Sequence, residues 1–121
     1  MVPEKVGEIS LEVIKLLGLP LTEAVPIYIG VTNIAHMARE HSYEFNHFYE
    51  KIPLIISTAD YVRLKKDDGS IEYVKSFGKY VKLAVRIAGD GKFYTRSLYR
   101  VRDNVVKRMV KNKTLKPLTA Q

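Results

Sequence analysis

The sequence predicts an α+β domain with N-terminal helices packed on a C-terminal antiparallel β-meander. Three observations predict it. Apolar residues in the first half recur at helical spacing, and after Asp60 they alternate with period two. The alternating runs are separated by the short turn segments Asp67-Asp68-Gly69-Ser70 and Gly89-Asp90-Gly91. At 121 residues and 46% hydrophobic, the chain suits a single domain, residues 1–121, built on one core.

Taken in order, residues 5–9 form a brief strand and Ser10 caps a helix with Val13, Leu16 and Leu17 on its apolar face. Gly18 and Pro20 end that helix. Residues 25–29 are a buried strand, and Thr32 or Asn33 caps a second helix that runs to about His41. The aromatic and then aliphatic stretch 42–58 is helical, with Pro53 starting a further turn. Four strands follow at 60–66, 71–77, 79–88 and 92–101. A last helix from Asp103, with Val106, Met109 and Val110 on one side, leads to a basic tail from about residue 111.

The net charge of +7 is unevenly distributed. Residues 1–61 carry four Lys/Arg against eight Asp/Glu, whereas residues 62–121 carry sixteen against five. Cations at that density in the sheet half favour a polyanion, most often nucleic acid. The absence of cysteine removes disulfides, thiolate metal sites and thiol catalysis together. No apolar run approaches the roughly 20 residues of a membrane span, and the N-terminus lacks the pattern of a signal peptide. A soluble, cytoplasmic protein with no membrane contact is therefore expected. Nucleophile-elbow, P-loop and dinucleotide motifs are also missing.

The strand 79–88 sorts its side chains cleanly, with Val81, Leu83, Val85 and Ile87 on one face and Tyr80, Lys82, Ala84 and Arg86 on the other. Its partner strand depends on the turn, because one residue of slip exchanges the faces. A three-residue Gly89-Asp90-Gly91 loop pairs Ile87 with Phe93. It sends Thr95, Ser97 and Tyr99 to the core and leaves Tyr94, Arg96, Leu98 and Arg100 beside Lys82 and Arg86. A two-residue loop reverses this. The first register is preferred because it buries Phe93 and Val101. Lys79, Tyr80, Lys82, Arg86, Tyr94 and Arg100 then form a nucleic-acid-binding face, holding phosphates by charge and bases by stacking.

The three histidines, His36, His41 and His47, do not have metal-ligand spacing, so neither a metal centre nor another cofactor is expected. His41 falls on the apolar stripe of its helix with Ile34, Met37 and Ala38. His36 falls on the other side, where Glu40 at i+4 can orient its ring for proton transfer.

The segment His36-Met37-Ala38-Arg39-Glu40-His41, the step Ala59-Asp60-Tyr61-Val62 and the strand Thr95-Arg96-Ser97-Leu98-Tyr99 together resemble a known family. It is the phage-associated branch of the barnase/EndoU/colicin E5 and D/RelE-like nucleases, with Ala59-Asp60 standing where the family has a Pro-Asp-like step. The resemblance covers about residues 6–101 and implies a barnase/RelE-like fold and metal-independent cleavage of RNA through a 2′,3′-cyclic phosphate. It implies His36 or His41 for proton transfer, Arg96 for the phosphate, and Ser97 and Tyr99 for positioning. The partners implied are RNA and an antitoxin or immunity protein. A non-catalytic nucleic-acid-binding module and a structural domain of a phage particle are the competing readings. In the preferred register, Arg96 and Ser97 face opposite sides of the sheet.

Overall fold

The computed structural model describes residues 2–118. The elements are β1 (Glu4–Ile9), α1 (Leu11–Leu17), β2 (Val25–Ile29), α2 (Val31–Glu40), α3 (Ser42–Phe48), a 3-10 turn (Tyr49–Lys51), α4 (Ile52–Thr58), β3 (Tyr61–Lys65), β4 (Ser70–Ser76), β5 (Tyr80–Ile87), β6 (Phe93–Val101), α5 (Asp103–Lys111) and β7 (Lys116–Pro117). All seven strands join one sheet in the order β1-β2-β6-β5-β4-β3-β7. No helix among the described residues is long and apolar enough to cross a membrane.

The meander β3 to β6 is antiparallel throughout, as the alternation predicts. The expected split into an N-terminal helical layer and a C-terminal sheet needs correction. β1 and β2 pair antiparallel with each other and extend the same sheet, and β2 lies parallel to β6 through Ile27↔Phe93 and Tyr28↔Tyr94. A parallel neighbour must be reached by a long crossover, here everything between β2 and β6. A five-residue apolar run says that a strand is buried without saying what lies beside it.

Local chemistry explains most boundaries. The Val13 N–H donates to Ser10 Oγ at 3.2 Å, and α1 stops at Gly18, whose φ of 63° is the left-handed value glycine adopts freely. α2 starts at Val31, earlier than Thr32 or Asn33 capping would place it. Gly30 is the N-cap, and its N–H donates to Asn33 Oδ1 at 2.8 Å. Stretch 42–58 is helical but broken at the 3-10 turn, and Pro53 sits in the first turn of α4. Beyond residue 111 the chain turns and adds β7 to the free edge of β3, so the basic segment is ordered structure through residue 118. Residues 119–121 of the expected tail lie outside the described residues.

Apolar side chains collect on both faces of the sheet. The larger cluster joins Val62, Ile71, Tyr73, Leu83, Val85 and Leu98 to Ile9, Val13, Met37 and Ile55. The smaller one, Val74, Val106 and Leu115 with Tyr61, Tyr80 and Val101 against them, sits under α5 on the opposite face. α4 approaches β1 so closely that a Cβ on Gly7 would meet Ile56 Cγ2 at 2.8 Å. Tyr73 is fully buried, its hydroxyl has no hydrogen-bond partner among the described residues, and burial pushes its phenol well above the usual range. Tyr73→Phe removes a buried donor and keeps the ring. It is expected to stabilise the fold by about 1 kcal/mol in urea titrations, and a loss of stability would mean that the hydroxyl is satisfied.

Candidate active site

The arrangement of the site begins with an irregularity in β6. From the turn, Ile87 pairs with Phe93, Arg86 with Tyr94 and Val85 with Thr95, the preferred register. Then Ala84 pairs with Ser97, leaving Arg96 as an extra residue opposite no partner. Such a β-bulge changes the parity of everything after it. Leu98 becomes fully buried opposite Leu83, and Ser97 and Tyr99 pass to the face of Ala84 and Lys82. The expectation that Ser97 and Tyr99 point into the core, and Leu98 out of it, is therefore wrong beyond the bulge. Thr95 is buried as expected.

Arg96 and Ser97 consequently border the same cleft, with a volume of about 280 Å³. α2 contributes His36 and Glu40, with His41 just past its end, and β6 contributes Arg96, Ser97 and Tyr99. The remaining wall is Ala84 with Lys65, Asp68, Ser70 and Glu72 of the β3–β4 hairpin. The two histidines, five residues apart, point in different directions on a regular helix. They meet here because His41 is the C-cap, with φ −142° and ψ 69°, so its side chain leaves the helical direction. The His41 ring stacks on Tyr99, centroids 5.1 Å apart and planes 24° from parallel. His36 Nδ1 stands 4.0 Å from Glu40 Oε1. His47 is elsewhere, stacked on Tyr43 with its Nδ1 2.9 Å from the Tyr43 carbonyl.

Beneath Tyr99 lies a row of charges. Glu72, only 3% exposed, pairs with Arg63 through Arg63 Nε and with Lys82, whose Nζ is 3.2 Å from Glu72 Oε2. The Lys82 ammonium also sits over the Tyr99 ring, 4.8 Å from its centroid. A carboxylate at that depth needs partners, and two cations supply them. Asp68 accepts a hydrogen bond from the Ser70 N–H at 3.0 Å. Hydrogen bonding from the Ser70 side chain and N–H holds its carboxyl below the usual range, so it stays ionised and is not a proton donor near neutrality.

The expected binding face is brought together only in part. Arg86 and Tyr94 pair across the strands and, with Arg96, line a separate, smaller pocket of about 160 Å³ that has only Arg96 in common with the cleft. The Tyr94 hydroxyl donates to Asp90 Oδ2 at 2.7 Å, which holds that carboxyl below its usual range. Lys82 is spent on Glu72 and Tyr99, and Tyr80 packs near Tyr61 in the cluster under α5. Lys79 is exposed beside Tyr80 at the start of β5, away from the cleft lining. Arg100 pairs with Val81, on the face away from Lys82, because the bulge reverses it. Sequence reasoning missed Lys65, Asp68, Ser70 and Glu72. Glu72 leaves a trace, a lone carboxylate in the apolar run Ile71-Glu72-Tyr73-Val74.

The model of the family described as phage-Barnase-EndoU-ColicinE5/D-RelE like nuclease3 matches residues 4–108. That span runs from β1 into α5 and takes in every residue lining the cleft. No curated protein and no solved structure matches the chain.

Proposed function

This chain belongs to the phage-Barnase-EndoU-ColicinE5/D-RelE like nuclease3 family, and we propose that its cleft cuts RNA by attack of the 2′-hydroxyl, without a metal ion. The observation that carries this reading is the convergence of His36, His41, Arg96, Ser97 and Tyr99 on one cleft. RNA carries its own nucleophile, so the protein needs a base, an acid and a cation at the phosphate.

His36 takes the proton from the 2′-hydroxyl, and Glu40 stands where a carboxylate attracts the imidazolium so formed. The 2′-oxygen attacks phosphorus and the bond to the 5′-oxygen breaks. His41 gives its proton to the departing oxygen, leaving a 2′,3′-cyclic phosphate and a 5′-hydroxyl. Arg96 balances the charge that builds on the non-bridging oxygens, and Ser97 donates a hydrogen bond to one of them. Tyr99 is a positioning residue, holding the His41 ring from beneath. An antitoxin or immunity protein would act by covering this cleft.

The test is cleavage of labelled RNA in EDTA, with the product ends identified. Cyclic phosphate termini that disappear in His36→Ala and in Arg96→Ala are expected. Cleavage that needs a divalent ion and leaves 5′-phosphates would refute the mechanism. Binding without cleavage would favour a non-catalytic nucleic-acid-binding module.

A further inference from the structure

Residues 109–118 lie past the end of the family match, yet they build a second groove against the cleft. Leu115, 2% exposed, packs with Val74 and Val106 and pins the segment down. Among the described residues β7 pairs only with Tyr61 and Val62, so the outer edge of β3 has no strand partner from Arg63 onward. Along that edge runs a groove of about 520 Å³ bordered by Lys65, Lys66, Lys113 and Lys116, with Asp67 as its one acid. Arg63 also borders it but is committed to Glu72. Among the described residues, Lys66, Lys113 and Lys116 have no ion-pair partner, and Lys65 borders both this groove and the catalytic cleft.

Lys113 is the notable member. It has a φ of 65° and is the one non-glycine residue at positive φ among those described. Glycine takes that conformation without strain and lysine does not. A strained residue is an invitation to ask what its side chain does, and this one lines the groove.

We propose that the groove is a phosphate-binding subsite for the single strand of RNA running on from the bond that is cut. This rests on the ribonuclease reading and goes beyond it in substrate length. Four lysines against one acid suit a polyanion, and ammonium groups hold phosphates as point charges. No aromatic side chain lines the groove, so bases have nothing to stack on there. The subsite therefore adds affinity for RNA chains without adding sequence preference.

The experiment compares Lys113→Gly/Lys116→Gln with the wild-type chain on two probes, a dinucleotide and an oligoribonucleotide of about twelve residues. Binding is read on a fully 2′-O-methylated form of the longer probe, which cannot be cut. The double variant is expected to bind that probe about tenfold or more weakly at low salt, and to lose about 1.4 from the slope of log K against log salt, roughly 0.7 per lysine. Its kcat/KM on the dinucleotide should match wild type. Lys113→Gly alone should melt higher and bind the long probe less well, a divergence that a purely structural lysine would not produce. Unchanged affinity and slope on the long probe would overturn the subsite whether or not RNA is cut. An equal loss on both substrates would overturn it as well. Wild-type binding of the long probe with neither substrate cut would sink the ribonuclease reading and leave the subsite standing.

Discussion

On the proposed mechanism, replacing His41 with alanine is expected to lower kcat on RNA by about 10²–10⁴-fold, the range for a lost general acid, and Arg96→Ala is expected to cost about 10²–10³-fold, as for a lost charge-stabilising donor. Neither change should cost much stability, because Arg96 is exposed and His41 only half-buried. The two effects part on a substrate with a better leaving group. A cyclising substrate that expels a nitrophenolate has little need of an acid, so His41→Ala should recover most of its rate there, while Arg96→Ala should not. Equal losses on both substrates would remove His41 from the role of acid. Tyr99→Phe keeps the ring under His41 and should retain most activity, whereas Tyr99→Ala should not.

The second large effect concerns the fold. Glu72→Ala leaves Arg63 and Lys82, 19% and 12% exposed, without their shared carboxylate. Breaking a buried ion pair by removing one partner costs about 3–5 kcal/mol, a large share of the roughly 5–15 kcal/mol by which a domain is stable. A fall in melting temperature of roughly 10–20 °C should follow. The triple replacement Arg63→Leu/Glu72→Leu/Lys82→Met removes the charges together and should recover much of that loss, since an apolar trio of similar volume carries no desolvation cost. A Glu72→Ala protein within 1 kcal/mol of wild type would show that the charges reach solvent. Activity of the triple variant is a separate matter, because Lys82 lies over Tyr99 and Tyr99 under His41.

The parts of this architecture that were legible in the sequence are those written in short-range pattern. The meander shows because apolar residues alternate along β5 and its neighbours while β4, buried on both faces over Ser70–Val74, is flanked by turn residues, and the turns show because Gly69 and Gly91 take positive φ. The place of β2 does not show, since its apolar run would look the same beside any strand. Bringing both histidines to one cleft depends on how α2 ends, at a residue that sequence spacing alone would keep on the helix. The bulge was hidden because residues 92–101 put bulky side chains at both parities, Phe93 on one and Leu98 on the other, so two registers fit and each is used over half of the strand. Charge misled in one place. Lys82 counts as a binding cation in any tally of basic residues, and only the fold reveals that Glu72 has already claimed it.

The extra residue in β6 also bears on which changes the gene can accept. Exposed positions are ordinarily where single-codon deletions do least harm. Arg96 is exposed, and its deletion would restore simple alternation to the strand. Thr95 would still face Val85, Ser97 would face Ala84 and Leu98 would face Leu83, so Leu98 keeps its place in the core. Substitution and deletion both remove the cation, and deletion also removes the local kink that a bulge imposes. Reading-frame-preserving deletions should therefore be tolerated here before they are tolerated in the turn at residues 89–91, where one residue fewer exchanges the faces of the strand.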